Sequence, residues 1–192
     1  MGQTNGDGKC KTPDENENAE VETFTYQTPD GTIVTASFTQ DTENHIIYGE
    51  GIGKQQRGVS GAHNKDHFIQ TLKNTGHPME NLLIGDPIPH PTIPGIFEQK
   101  YTIPAYDGII KKDAPKGKFL GYKNIKEPKT YYDPTQIIDT EMVQAAKDVM
   151  RNGTLKGSRK VVGTTLLKGE EIKFEAYIKD GKFSTIYPTL KE

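Results

Sequence analysis

The sequence predicts an α+β domain, with helices set among antiparallel hairpins. Three observations lead there. Val, Ile, Tyr and Phe occur in short runs separated by Gly, Pro, Asn and Asp, the punctuation of strands and turns. Two longer stretches, 62–76 and 133–152, instead repeat their apolar residues at helical spacing. Near the C-terminus, Asp180-Gly181 joins two alternating runs, a strong hairpin signal. With 192 residues the chain has the length of one domain, or of one domain made of two closely packed lobes, and it can bury a real core.

The elements follow in order. Residues 1–20, MGQTNGDGKCKTPDENENAE, are almost free of large apolar groups. A disordered linker is expected over 1–22 and a folded domain over 23–192, with order beginning near Phe24. TIVTASFTQ (32–40) alternates and reads as a strand, and the short apolar run HIIYG (45–49) reads as a strand end. Residues 62–76 form a helix through Phe68, Ile69 and Leu72, stopped by Gly76. DPIPHPTIPG (86–95) holds too much proline for a central strand, whereas IFEQKYTIPAY (96–106) alternates and should pair in a sheet. KTYYD (129–133) reads as a strand end. Asp133-Pro134 reads as a helix start, with Ile137, Ile138, Met142, Val143, Ala146 and Val149 on one face and an end near Asn152-Gly153. Three strands close the chain, over 160–167, 171–178 and 182–188.

Composition excludes several classes. The single cysteine, Cys10, cannot form an intramolecular disulfide, and no Cys/His cluster has zinc spacing. No apolar run approaches the length of a membrane span, so no membrane anchor is expected. The opening MGQTNG differs from a myristoylation start, with Gly6 where Ser or Thr is required. The net charge of −2 hides an asymmetry: residues 109–192 hold 17 basic and 11 acidic residues, and residues 1–108 hold 7 and 15. A basic half suits a polyanionic ligand, although a solvated lysine-rich surface gives the same balance.

The five histidines are the scarce chemical groups. His45 and His63 bracket a loop that carries Gly49, Gly51, Gly53, Gly58 and Gly61. His63 and His67 share an i, i+4 spacing, but HNKDH lacks the glutamate of the zinc-protease motif and has no third ligand nearby, so no metal is expected. His67 and His90 read as non-catalytic. Two imidazoles without metal or cysteine suit cleavage of RNA by its own 2′-hydroxyl. One ring removes the 2′-OH proton and the other protonates the 5′-oxygen, since both titrate near neutrality. A lysine would then meet the phosphate oxygens, and an aromatic ring and a hydroxyl would hold the nucleoside.

Three stretches in the right order carry a resemblance. They are His45-Ile-Ile-Tyr48-Gly49-Glu50 with Gly61-Ala62-His63 after the loop, then Lys129 before the helix IIDTEMVQAAKD, and then KVVGTTLLKGEEIKFEAYIKDGKFSTIYPTL. Over about residues 45–190 the chain resembles the EndoU endoribonuclease family, which includes a coronavirus uridylate-specific endoribonuclease, eukaryotic enzymes and bacterial toxin domains. The resemblance implies a barnase/EndoU/colicin/RelE-type fold, with helices packed on antiparallel sheets in two lobes. It implies His45, His63 and Lys129 as catalytic residues, with the histidine before the loop as base and the one after it as acid. The sequence itself leaves those two roles exchangeable and Lys126 as a rival for Lys129. Tyr187, in the T-x-Y-P ending, matches the family's ribose- and base-supporting tyrosine. Thr185 shares its strand face, and Thr130 is the nearest match to the family's uracil-reading hydroxyl.

Departures are Val59-Ser60-Gly61-Ala62 in place of a fuller glycine run, and a slightly longer loop. These, with the inexact Thr130 match, leave uridine preference open. SGAHN, PHPTIPGI and KTYYDP are similar to the toxin domains at the C-termini of contact-dependent and type VII-secreted polymorphic toxins. That likeness implies a monomer delivered as part of a larger protein, acting on tRNA or other RNA in a target-cell cytoplasm, without a cofactor, and blocked by a cognate immunity protein. The competing expectations are a non-catalytic RNA- or protein-binding module and a housekeeping RNA-processing enzyme of the same family. A small-molecule phosphodiesterase is disfavoured, because no phosphate-binding glycine motif opens a helix.

Overall fold

The computed structural model describes residues 21–190 apart from 54–55, 109, 112–113 and 116. Residues 1–20 of the expected linker therefore lie outside the described residues. Val21 and Glu22 are described, and Glu22 already opens the first strand.

The strands and helices in chain order are β1 (Glu22–Gln27), β2 (Ile33–Phe38), α1 (Gln40–Ile47), β3 (Gly51–Ile52), β4 (Val59–Ser60) and α2 (Lys65–Lys73). A 3₁₀ turn at Met79–Asn81 leads to β5 (Leu83–Pro89), β6 (Ile96–Tyr106), β7 (Ile110–Lys111), β8 (Ala114–Pro115), β9 (Phe119–Asn124) and β10 (Lys129–Tyr132). The chain ends with α3 (Asp139–Asn152), β11 (Thr154–Lys156), β12 (Lys160–Leu167), β13 (Glu170–Lys179) and β14 (Lys182–Thr189). The architecture is α+β and mostly antiparallel.

The larger sheet has the order β1-β2-β14-β13-β12-β11. Period-two alternation gives it two different faces. Phe174, Ala176 and Ile178 of β13 and Phe183 and Ile186 of β14 point to a core shared with Met142, Ala146 and Val149 of α3 and Ile46 of α1. Several of these side chains are fully buried, each stabilising the fold by about 1.5–3 kcal/mol. The intervening residues Lys160, Glu175, Tyr177, Thr185 and Tyr187 stand on the opposite face, in register across β12, β13 and β14. The second sheet has the order β10-β6-β5, with β9 pairing the far half of β6. It packs Tyr101, Ile103 and Tyr131 against Phe68 and Leu72 of α2 in a separate apolar cluster.

Two expectations are corrected. HIIYG is not a strand end: His45, Ile46 and Ile47 form the last turn of α1. Thr39 opens this helix, with its N–H donating to Thr42 Oγ1 (3.3 Å), and Asp41 and Glu43 place negative charge in the first turn, where the helix dipole favours it. Gly49, at φ 69°, ends it by donating its N–H to Asn44 O. The second helix begins at Asp139 rather than at Asp133-Pro134. The Asp133 carboxylate accepts from the N–H and hydroxyl of Thr135 and so closes a local turn. The helix starts where Glu141 accepts from the Ile138 N–H (3.1 Å), and the Ile138 side chain is exposed. The proline-rich segment contributes β5 at the edge of its sheet, where missing N–H groups cost least.

Candidate active site

The glycine loop joins two pieces of backbone that lie against each other. Ala62 N–H donates to His45 O (2.9 Å), His63 N–H to Ile46 O (2.6 Å) and Glu50 N–H to Ser60 O (2.9 Å). The approach depends on Gly49 and Gly61, which both have positive φ, and a Cβ on either would overlap the facing backbone. The C-terminus of α1 and the residues before α2 are thereby fastened together, and their two histidines share one site.

The His45 and His63 ring centres are 6.4 Å apart. His45 is buried, and its Nδ1 meets Glu50 Oε1 at 2.7 Å. A carboxylate only accepts, so Nδ1 carries the proton and Nε2 is left for chemistry. Nε2 is buried and has no hydrogen-bond partner, an uncommon state for a buried polar atom. Glu50 also accepts from the Ser60 hydroxyl. The hydrogen bond from His45 is the main reason its pKa falls to about 2; burial opposes this and Ser60 assists it.

His63 is held by β10 from two sides. Its Nδ1 lies 2.7 Å from Thr130 O, and its own carbonyl accepts the Tyr132 N–H at 2.8 Å. The Thr130 carbonyl can only accept, so again Nδ1 is protonated and Nε2 is free of that duty. Burial, and next the charge of Lys129, push the His63 pKa well below its ordinary value, so the ring is neutral.

Lys129 begins β10 and is buried, with its ammonium donating to the carbonyl of Gly61. Burial lowers its pKa to about 7, against an opposing pull from Glu50. Lys126 is exposed. Tyr187 comes from the larger sheet. Its ring is nearly parallel to that of His63 (19°), 6.3 Å between centres, and its hydroxyl donates to Glu175 Oε2 at 2.8 Å. The same oxygen accepts from Lys160 (2.8 Å).

An open cleft of about 630 Å³ lies here between the two sheets, and all six expected residues line it: His45, His63, Lys129, Thr130, Thr185 and Tyr187. Thr130 also points its hydroxyl at Glu98 Oε1 (3.5 Å). Among the described residues, no group of three or more His, Cys, Asp or Glu could hold a metal ion. No helix among them is long and apolar enough to cross a membrane.

Residues 39–190 match the bacterial EndoU nuclease family. The chain belongs to this family of nucleases. It is also similar to a protein of Yersinia mollaretii named tRNA nuclease CdiA, 27% identical over 168 residues. That match covers 86% of this chain but only 5% of the relative.

The remaining histidines of this EndoU chain have structural partners. His67 meets Tyr48 edge to face (4.7 Å), and His77 joins the hydroxyls of Tyr106 (2.9 Å) and Tyr122 (3.1 Å). His90 Nδ1 accepts the N–H groups of Thr92 and Ile93, closing the proline-rich turn. Sequence reasoning assigned no role to Glu50, Ser60, Glu98, Lys160 or Glu175. Glu50 stands in the motif that was read, five residues after His45, but only the helix end at Gly49 shows that it turns back. Glu175 was not findable from the Asp180-Gly181 hairpin alone: that turn pairs it with Ile186, and a bulge at Tyr177/Ile178 shifts the register by one to bring it opposite Tyr187.

Proposed function

We propose that this cleft cleaves RNA by attack of a ribose 2′-hydroxyl on the adjacent phosphorus, leaving a 2′,3′-cyclic phosphate and a 5′-hydroxyl end. The observation that carries the reading is the pair of imidazoles 6.4 Å apart, each with Nδ1 committed to an acceptor and Nε2 left over, beside a buried lysine. That spacing lets two rings flank one phosphodiester. His63, neutral through burial, takes the 2′-OH proton on Nε2. The O2′–P bond forms, the P–O5′ bond breaks, and His45 Nε2 delivers a proton to O5′. Lys129 meets the charge that grows on the phosphate oxygens. The partners favour this division of roles, with Glu50 placing a fixed negative charge against the ring that gives up the proton. It is the reverse of the division implied by the family resemblance.

Every proton transfer and charge has a side chain assigned, so the mechanism calls for no metal ion or cofactor. Thr130, Thr185 and Tyr187 hold the nucleoside. The two apolar clusters, one behind each sheet, support the two-lobed barnase/EndoU/colicin/RelE-type description.

The printed name of the Yersinia relative supports tRNA as substrate, and a match to 5% of its length supports a domain carried by a larger toxin. Delivery to a competitor cell, action in its cytoplasm as a monomer and neutralisation by an immunity protein belong to the same reading. Incubation with total RNA in EDTA, followed by mapping of the ends, tests the chemistry. Cyclic phosphate and 5′-hydroxyl ends are expected. Binding without cleavage, or cleavage that EDTA abolishes and manganese restores, would refute it.

A further inference from the structure

A cleft that takes a polyanion gains nothing for phosphate binding from carboxylates, because they repel it. Glu98, Glu127 and Glu175 line this cleft, with Lys160 ion-paired to Glu175; Glu98 and Glu175 come one from each sheet. Each sits directly across from a hydroxyl assigned above to substrate binding: Glu98 opposite Thr130 in the β6–β10 pair, and Glu175 opposite Tyr187 in the β13–β14 pair. In both pairs the hydroxyl donates to the carboxylate, at 3.5 Å for Thr130 and 2.8 Å for Tyr187. A hydroxyl has one hydrogen. Once it is given to a carboxylate, only lone pairs remain for the substrate.

Glu175 is held firmly in this state. Burial pushes its pKa up, but hydrogen bonds from Lys160 and then Tyr187 carry it below the ordinary carboxylate value, so it stays an acceptor. Both of those bonds fall on Oε2. Beside the Lys160 ammonium, the nucleoside side of the cleft therefore carries acceptors: Tyr187 Oη, Thr130 Oγ1 and the carboxylates of Glu98 and Glu175. Phosphate cannot gain a hydrogen bond from these acceptors. A base edge can, if it donates.

We infer that Glu98 and Glu175 are specificity-determining residues that select, at the ribonucleotide 5′ to the scissile bond, a base carrying an amino group (cytosine, adenine or guanine) over uracil. The inference rests on the ribonuclease reading above. An exocyclic amine meets a carboxylate as a donor, as glutamate meets cytosine N4. Uracil presents carbonyl oxygens on both sides of its single N–H, and these would face acceptors and repel them.

The test uses DNA oligonucleotides that contain one ribonucleotide, rA, rC, rG or rU, in an otherwise identical context. The kcat/KM of each is measured for the wild-type protein, Glu175→Gln and Glu98→Gln. The wild type should cleave at least one amino-bearing substrate at least tenfold more efficiently than rU. Glu175→Gln, whose amide can donate to a carbonyl, should lower that value about tenfold while rU holds or improves. Equal or better cleavage at rU by the wild type overturns the inference and leaves the ribonuclease reading standing. A uniform fall on all four substrates in Glu175→Gln assigns that residue to support of Tyr187 alone and also overturns it. Glu98→Gln supplies the same comparison should Glu175→Gln fail to fold. Cleavage of no substrate, total RNA included, removes both readings.

Discussion

Gly49 and Gly61 meet backbone to backbone, and that contact makes His45 and His63 neighbours. A Cβ on Gly49 would lie 2.5 Å from Ser60 O and 2.6 Å from Ala62 N, and one on Gly61 would collide with the His45 carbonyl and come within 2.9 Å of Gly49 Cα. Gly51, in the same loop, has nothing within 4 Å of such a Cβ, although its φ is also positive. Gly51→Ala should therefore cost about 1 kcal/mol, the strain of a left-handed residue. Gly61→Ala and Gly49→Ala should each cost at least about 2 kcal/mol more through overlap that the backbone cannot relieve, and should lose RNA cleavage. Urea titration of the three variants decides the matter: equal losses would show that close approach is not what these glycines provide.

The residues that line the cleft could be picked out in the sequence because they are scarce and ordered. Two of five histidines flank one loop, a lysine precedes a helix, and a tyrosine follows a hairpin. Their convergence was not legible, because it depends on backbone contacts between residues 45–50 and 60–63 that no periodicity encodes. HIIYG was misread for a related reason: a short apolar run looks alike as a strand end and as the last turn of a helix whose first turn is polar. The strand β9, FLGYKN, escaped notice because most of its positions are exposed and no alternation marks it. Asp133-Pro134 carries a real turn signal, but the Asp133 side chain uses it for Thr135, and the helix starts six residues later.

Removal of either imidazole should stop the reaction and spare the fold. His45→Ala and His63→Ala are each expected to lower kcat by about 10²–10⁴-fold, the usual share of a general acid or base. Circular dichroism and thermal melting should stay close to wild type. A folded variant that keeps activity within tenfold of wild type would remove that histidine from the mechanism.

Glu50 should matter through its charge. In Glu50→Gln the amide oxygen can still accept from His45 Nδ1, but the anion is gone and the amide nitrogen faces the Ser60 hydroxyl, which must turn to accept. A hydrogen bond to a charged group is stronger than a neutral one, and kcat should fall roughly 10–100-fold with little change in KM. Ser60→Ala removes only a donor to Glu50 and should cost less. If Glu50→Gln matches the wild type, Glu50 does no more than orient the ring.

Lys129 should be harmful to stability and necessary for function. Its folded pKa is about 7, while an unfolded lysine titrates near 10.5. Between those values the unfolded chain holds a proton that the folded chain does not, so stability rises with pH across that window. Below pH 7 the burial penalty is present in full. His63, also lowered by burial, acts in the same direction at more acidic pH. Replacing the lysine by an apolar chain of similar length removes the penalty and leaves the Gly61 carbonyl as the group that loses a partner. Lys129→Met should therefore raise stability at pH 6 by at least about 1 kcal/mol and flatten its increase between pH 7 and 9. The same variant should lose RNA cleavage, because the phosphate meets no ammonium. In the wild type, KM for RNA should climb as the pH passes 7, when the free protein gives up the Lys129 proton. Denaturation curves at pH 6 and 9 with matched kinetics measure all of this. A less stable Lys129→Met at pH 6 would show that the Gly61 hydrogen bond outweighs the cost of burying the charge.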